Sequence, residues 1–356
     1  MATTLGTVLV TGGAGFIGSA LSHVLAENAQ RWVVMDNLHP QVHPTHERPE
    51  DLHPAAELVI GDVTVADDWD DLLSDVHPDV VIHLAAETGT AQSLHEASRH
   101  ALVNVAGTTQ LLDGLGRHEH VPSHVVLSSS RAVYGEGEWQ RPDGTVFYPG
   151  QRSHAQFERA QWDFADASPL PARASRTVPA PTSVYGATKL AQENVLAAWA
   201  GAHDVPLSVL RLQNVYGAGQ SLINPYTGIC SMFSLWARDG QSIPIYEDGD
   251  ITRDFVYIDD VAAALAAAVL NPPRPDARRR VDIGSGVGST ILELAQEIAN
   301  FYGAPAPHIT GKYRDGDIRY ASCDIDDARS ELSWEPAVSL TQGVALLQEW
   351  IARRDA

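Results

Sequence analysis

Tyr185 and Lys189 stand four residues apart in Tyr185-Gly186-Ala187-Thr188-Lys189. On a helix that spacing puts a phenol and an ammonium on one face, about one turn apart. The ammonium favours the phenolate and lowers the tyrosine pKa towards neutrality, which makes a general base for a hydroxyl proton. Of the 24 Lys+Arg residues only Lys189 and Lys312 are lysines. A lysine kept in so arginine-rich a chain points to a slot that needs a compact charge. Ser128-Ser129-Ser130 follows a β-branched run. A hydroxyl there can hydrogen-bond a substrate oxygen or cap a turn.

A second constellation is Thr11-Gly12-Gly13-Ala14-Gly15-Phe16-Ile17-Gly18, directly after the strand pattern Val8 to Val10 and before a helical pattern from Phe16 to Leu25. Glycines at this junction allow a tight turn and let the backbone approach a pyrophosphate, and the helix N-terminus supplies free N–H groups. Asp36 closes the next strand, 18 residues after Gly18. A carboxylate there accepts hydrogen bonds from ribose hydroxyls and repels a 2′-phosphate, so NAD is favoured over NADP. Asp62, in Gly61-Asp62-Val63, is either a partner for the adenine edge or a cap for the following helix.

These residues need a frame, and the chain reads as one. Strand patterns at Val33 to Met35, Glu57 to Ile60, Val80 to Leu84, His124 to Leu127 and Leu207 to Leu210 alternate with helical stretches, notably about Leu94 to Leu115 and Tyr185 to Trp199. The class is α/β, with a doubly wound parallel sheet covered on both faces. The pattern weakens after Arg211: residues 213–253 read as loop-rich, then Asp259 to Leu270, Ile291 to Phe301 and Leu340 to Ile351 read as helices around a short strand, Val281 to Ile283. The expected division is a dinucleotide-binding domain at 1–212 and about 254–285, and a smaller substrate domain at about 213–253 and 286–356.

Two segments read as insertions. Leu38 to Ala56 holds His39, His43, His46 and His53, but Pro40, Pro44, Pro49 and Pro54 forbid a regular helix, so a solvated loop is expected rather than a metal site. Residues of about 136–182 carry Trp139, Phe147, Phe157, Trp162 and several prolines, as either an ordered flap or a surface insertion. Cys230 and Cys323 read as free core thiols of a cytoplasmic chain. A formal net charge of −21 excludes general nucleic-acid binding and disfavours an anionic membrane surface. No apolar run is long enough to span a bilayer.

The motifs together resemble the extended short-chain dehydrogenase/reductase family, within it the nucleotide-sugar epimerases and dehydratases. The matching stretches are 11–18, His83-Leu84-Ala85-Ala86, Ser128 to Gly135, Tyr185 to Lys189, Arg211 to Gly217, Thr252 to Asp260 and Arg314 to Asp317, nearly the whole length in order. The resemblance implies a Rossmann-type domain with bound NAD, a C-terminal nucleotide-sugar domain, and a homodimer built on the helices near 94–115 and 184–200. It implies Ser130, Tyr185 and Lys189 as the catalytic triad. The implied cofactor contacts are Gly12, Gly15, Phe16, Ile17, Gly18, Asp36, Asn37, Asp62, Val63, Leu84, Ala85, Ala86, Asn104 and Ser128, with Tyr185 and Lys189. Asn214, Arg253, Arg314 and Asp317 are implied contacts to the nucleotide diphosphate and its ribose, and Thr90, Gln92 and Asn224 to the sugar.

Family 4,6-dehydratases carry Asp and Glu just after the catalytic hydroxyl, whereas this chain has Arg131 and Ala132. An alanine transfers no proton, which argues against water elimination. What remains needs only reversible oxidation at a carbinol, and the resemblance implies a 4-epimerase acting on a dTDP- or UDP-sugar. Arg131-Ala132, the 136–182 insertion and Gly219-Gln220-Ser221-Leu222-x-Asn224-Pro225-Tyr226 resemble the dTDP-L-rhamnose 4-epimerases, with the UDP-glucose 4-epimerases as further relatives. A 4-ketoreductase or a dehydratase of unusual regiochemistry is the rival within enzymes. A silent NAD-binding sensor is the rival outside them, disfavoured because both Tyr185 and Lys189 are present.

Overall fold

The computed structural model describes residues 5–222, 228–274 and 277–354. Seven strands form its large sheet: β1 (Leu5–Thr11), β2 (Ala29–Asp36), β3 (Ala56–Ile60), β4 (Val80–His83), β5 (His124–Ser130), β6 (Leu207–Leu212) and β7 (Arg278–Ile283). Their order is β3-β2-β1-β4-β5-β6-β7, and every neighbouring pair is parallel. This is a doubly wound Rossmann-type sheet. Val8 and Val10 enter one core layer with Leu21, Leu25, Val261 and Leu265, while Leu9 enters the other with Trp69, Leu111 and Leu196. Both faces are dry, which is why these strands are apolar runs rather than alternating ones. The strand order reverses between β1 and β4, and that reversal opens a crevice beyond their C-terminal ends.

A smaller sheet stands over that end. Asn214–Tyr216 pairs parallel with Thr252–Tyr257, which also pairs antiparallel with Gly288–Thr290 and parallel with Tyr320–Ala321. Helices Ile229–Arg238, Ile291–Tyr302 and Leu340–Arg354 close over it on Phe233, Phe255, Leu294, Ile298 and Leu347. The stretch expected to be loop-rich thus holds a helix and two short strands, Asn214–Tyr216 and Pro244–Ile245. Thr252–Tyr257 lies in the smaller sheet, and the chain rejoins the large one only with helix Ile258–Leu270 and β7. The helix expected from Leu94 begins at Ala97 and runs through a wide π turn, Leu102–Ala106, to Arg117.

The 136–182 insertion is ordered. Trp139–Gln140 pairs antiparallel with Val146–Phe147 and with Ser168–Pro169, and a capping box of Ser153 and Gln156 starts helix His154–Glu158. Arg152, buried, donates to both Glu247 oxygens at 2.8 and 2.9 Å and to the Asp317 carbonyl at 2.8 Å. The Arg319 amide donates to Glu136, and its guanidinium to Asp163 and Asp248. Phe157 stacks on Tyr313 with centroids 5.1 Å apart, and His154 meets Asp315. The insertion therefore buttresses the segment that carries Arg314 and Asp317.

Candidate active site

Gly12 takes φ +65° and its amide donates to the Met35 carbonyl at 2.8 Å; a Cβ there would lie 2.6 Å from the Ala85 backbone. A side chain on Gly18 would collide with the backbone of Gly13. Gly15 begins helix Phe16–Leu25, and no side chain caps it. Its first-turn amides are therefore available to an anion. Asp36 is fixed by two backbone amides, Ala14 at 3.1 Å and Leu38 at 2.9 Å. A close-approach turn, an uncapped helix start and an anchored carboxylate at the end of β2 together fit a dinucleotide with a free 2′-hydroxyl.

These elements open on one cleft of about 2050 Å³. That exceeds what a single drug-sized ligand fills and leaves room for a dinucleotide and a nucleotide sugar together. Gly12, Gly15, Phe16, Ile17, Gly18, Asp36, Asn37, Asp62, Val63, Leu84, Ala85, Ala86 and Ser128 line it, as do Thr90, Ser130, Tyr185, Lys189, Asn214, Arg253, Arg314 and Asp317. Asp62 accepts from Asn37 at 2.9 Å and from the Thr64 amide at 2.8 Å, so it both borders the cleft and turns the chain towards the next helix. Asn224 lies outside the described residues.

Two residues expected as contacts stand behind the wall of the cleft, one of them, Asn104, in the place of the family's structural asparagine. Gln92 is buried away from the cleft, bonded to Gln41 and Glu96, because a partner from the 38–56 loop takes its amide. Asn104 does not line the cleft either: it accepts from the Glu87 amide at 2.8 Å and donates to the Glu87 carbonyl and to Thr188. It clamps the loop after β4 to the helix that bears Lys189. The 38–56 loop is not simply solvated. His43 is buried with Nε2 3.9 Å from Asp36, and burial lowers its pKa. Arg48 ties the loop through the carbonyls of Ala56 and His53, so His39 and His43 border the cleft.

The three side chains expected to be catalytic, Ser130, Tyr185 and Lys189, converge on the C-terminal end of β5. Ser130 ends that strand, and its hydroxyl accepts from the Ala132 amide at 3.2 Å. Helix Val184–Ala202, capped by Ser183, presents Tyr185 and Lys189 on one face. The expected acidification of Tyr185 by Lys189 is not what the side chains give. Burial raises the phenol above its ordinary value, and the Ser130 hydroxyl and the Arg131 charge pull it back. Burial also pushes the Lys189 ammonium down to about 7, opposed by Glu193 one turn along the helix.

Glu193 escaped the sequence reading although its four-residue spacing from Lys189 was visible. It accepts from the Ser129 hydroxyl at 2.5 Å and forms a buried bidentate pair with Arg211 at 2.7 and 2.9 Å. Arg211 also donates to the Tyr134 hydroxyl, which donates to Asp282. This network locks β5, β6 and β7 to the catalytic helix. A second unforeseen pair, Glu87 with Arg99 at 2.7 Å, borders the cleft near Thr90.

Residues 8–284 match the NAD dependent epimerase/dehydratase family, and the chain belongs to it. A dTDP-L-rhamnose 4-epimerase of Burkholderia thailandensis is 60% identical over 346 residues, 97% of this chain and 95% of that protein. The solved UDP-glucose 4-epimerase of Thermotoga maritima, with UDP-glucose, superposes with a TM-score of 0.79 at 28% identity, over 98% of this chain and 100% of that one. A UDP-glucuronic acid 4-epimerase of Bacillus cereus, in complex with UDP-glucuronic acid and NAD, gives 0.77 at 25% identity, over 98% and 99%.

Proposed function

We propose that this chain is an NAD-dependent nucleotide-sugar 4-epimerase that inverts carbon 4 of dTDP-L-rhamnose, giving dTDP-6-deoxy-L-talose. The observation that carries the reading is the meeting of Ser130, Tyr185 and Lys189 at the end of β5, with Arg131 and Ala132 beside them where an elimination would need carboxylates. The 60% identity over nearly the full length supports the choice of sugar and base.

Gly12, Gly15, Gly18 and Asp36 would hold NAD, with Asn37, Asp62 and Ala85 along its edge. The chemistry NAD supplies when bound is reversible hydride acceptance at carbon 4. Ser130 orients the C4 hydroxyl, and Tyr185 takes its proton and later returns it to the same oxygen. The Ser130 hydroxyl and the Arg131 charge favour the Tyr185 phenolate against burial, and Lys189, one turn along the helix, would hold the nicotinamide ribose. Between the two transfers the keto-sugar presents its opposite face, and the diphosphate stays held by Arg253, Arg314 and Asn214. Asp317 keeps Arg253 in place by an ion pair of 2.8 Å. Atoms and electrons return to the same substrate, so no external reductant is consumed.

A homodimer is part of the reading. Helices Ala97–Arg117 and Val184–Ala202 pack side by side through Asn104 and Thr188, and Leu102 on the first is 53% exposed. Cytoplasmic work also belongs to the reading, supported by two free buried cysteines and the need for NAD. No helix among the described residues is long and apolar enough to cross a membrane.

The test is incubation of the purified protein with dTDP-L-rhamnose and, separately, UDP-glucose, without added reductant, with products resolved by NMR. Inversion at carbon 4 of the dTDP-sugar is expected. A 4-keto product, or turnover only when reduced cofactor is added, refutes the reaction, and inversion of the UDP-sugar alone refutes the choice of substrate.

A further inference from the structure

Arg131 stands where eliminating relatives carry an acid. Its side chain leaves the end of β5 and crosses to the short strand Asn214–Tyr216 of the smaller sheet, where Nε donates to the Asn214 Oδ1 at 2.8 Å. That bond fixes the plane of the guanidinium across the floor of the cleft. Nη1 is buried and meets no hydrogen-bond acceptor. A buried guanidinium N–H left unpaired costs the full desolvation of that donor. Such a group is expected to have a use.

The surroundings say what would satisfy it. Of the charges that act on Arg131, Arg253 weighs most, followed by Asp317, the Tyr185 phenol and Glu136. Asp317 is already engaged by Arg253, and Glu136 accepts from the Arg319 amide. Arg131 therefore adds a positive charge that the neighbouring carboxylates do not take up, and burial together with Arg253 pushes its pKa down to about 9. The missing partner is an anionic oxygen. Arg131 lines the same cleft as Tyr185 and Arg253 and feels the charge of both; in the proposed function the first serves carbon 4 and the second the diphosphate. In a nucleotide sugar the group between those two points is the phosphate that carries the sugar.

We propose that Arg131 is a third diphosphate guanidinium, donating through Nη1 to the sugar-bearing phosphate of the nucleotide sugar while Asn214 holds its plane. The assignment rests on the proposed function for its substrate class. It also gives the position a purpose: a residue that would be acidic in an eliminating relative here grips the pivot about which the keto-sugar turns. A planar fork held at one nitrogen and free at the next suits that grip better than a lysine.

The test separates this assignment from the proposed function. The wild-type protein is titrated with dTDP, dTMP, UDP and UMP by calorimetry. Tighter binding of dTDP than UDP is expected from the proposed substrate, and the reverse overturns that base while leaving Arg131 testable on UDP and UMP. Binding of neither diphosphate overturns both readings. The preferred diphosphate and its monophosphate are then titrated into Arg131→Gln. Loss of one charge-assisted bond should weaken the diphosphate about tenfold to a hundredfold. The monophosphate should hold within about threefold, which also reports an intact fold. Arg131→Lys keeps the charge and loses the bond to Asn214; its diphosphate affinity should fall between the two, and it serves if the glutamine variant does not fold. An unchanged ratio of diphosphate to monophosphate affinity in the variants overturns the proposal.

Discussion

Glu193→Gln is the substitution that most directly tests how the catalytic helix is held. It changes one oxygen to an amide and removes the carboxylate that pairs with Arg211 through two bonds, at 2.7 and 2.9 Å, with both side chains 1% exposed. The Arg211 charge remains in the core, with the Tyr134 hydroxyl as its other polar contact. Leaving one member of a buried pair uncompensated costs about 3–5 kcal/mol. Unfolding entropy near the melting point is about 2.1 cal/mol/K per residue, so for a chain of this length the loss reads as roughly 4–7 °C in melting temperature. The assay is calorimetric melting of the wild type, Glu193→Gln and the double variant Glu193→Gln/Arg211→Met. The double variant should recover part of the loss, because Arg211→Met removes the orphan guanidinium and leaves only a neutral amide in the core. A single variant that melts within about 1 °C of the wild type refutes the reasoning, and so does a double variant less stable than the single.

Two further outcomes concern the chemistry. Tyr185→Phe should keep its NAD, measured by extraction and chromatography, and lose about 10²–10⁴-fold in kcat; near-normal turnover would remove the phenol from the role of base. Lys189 carries a pKa lowered to about 7 in the fold against 10.5 in an open chain, so folding penalises its charged form. The penalty is complete below about 7, shrinks as the pH rises through the window to 10.5, and is gone above it. Wild type should therefore gain stability over that window relative to Lys189→Met, and melting curves in which the difference between the two is flat with pH would contradict the burial argument.

The large sheet was legible because its central strands carry apolar runs such as Val8 to Val10, Trp32 to Met35 and Val80 to Ile82, and the dinucleotide turn because its glycines sit at a strand-to-helix junction where backbone must meet backbone. Helix Ile229–Arg238 was hidden for a local reason. Ser231 and Ser234 are buried among its apolar positions, and the Ser234 hydroxyl is satisfied by the Cys230 carbonyl, so the stripe on the helix looks broken. The bounds of the helix expected after Asp62, Ala66–Leu73, were hidden by its aspartates, since only Trp69, Leu72 and Leu73 face inward. The misplaced Gln92 has a different cause. Its partner Gln41 lies 51 residues away, and no local pattern shows that the two amides will find each other. The same holds for Arg152 and Glu247, 95 residues apart, whose pairing decides that the insertion is a brace and not a flap.

The two lysines differ in more than chemistry. Lys189 is 2% exposed at the bottom of the cleft, whereas Lys312 stands exposed at its rim, on the segment braced by the insertion. To reagents that attack lysine amines, nearly the whole described surface is therefore blank. A dye, a cross-linker or a resin coupled through lysine side chains would attach at a single defined point beside the substrate entrance. The protein carries a ready-made reporter position there, with no engineering needed to silence the rest.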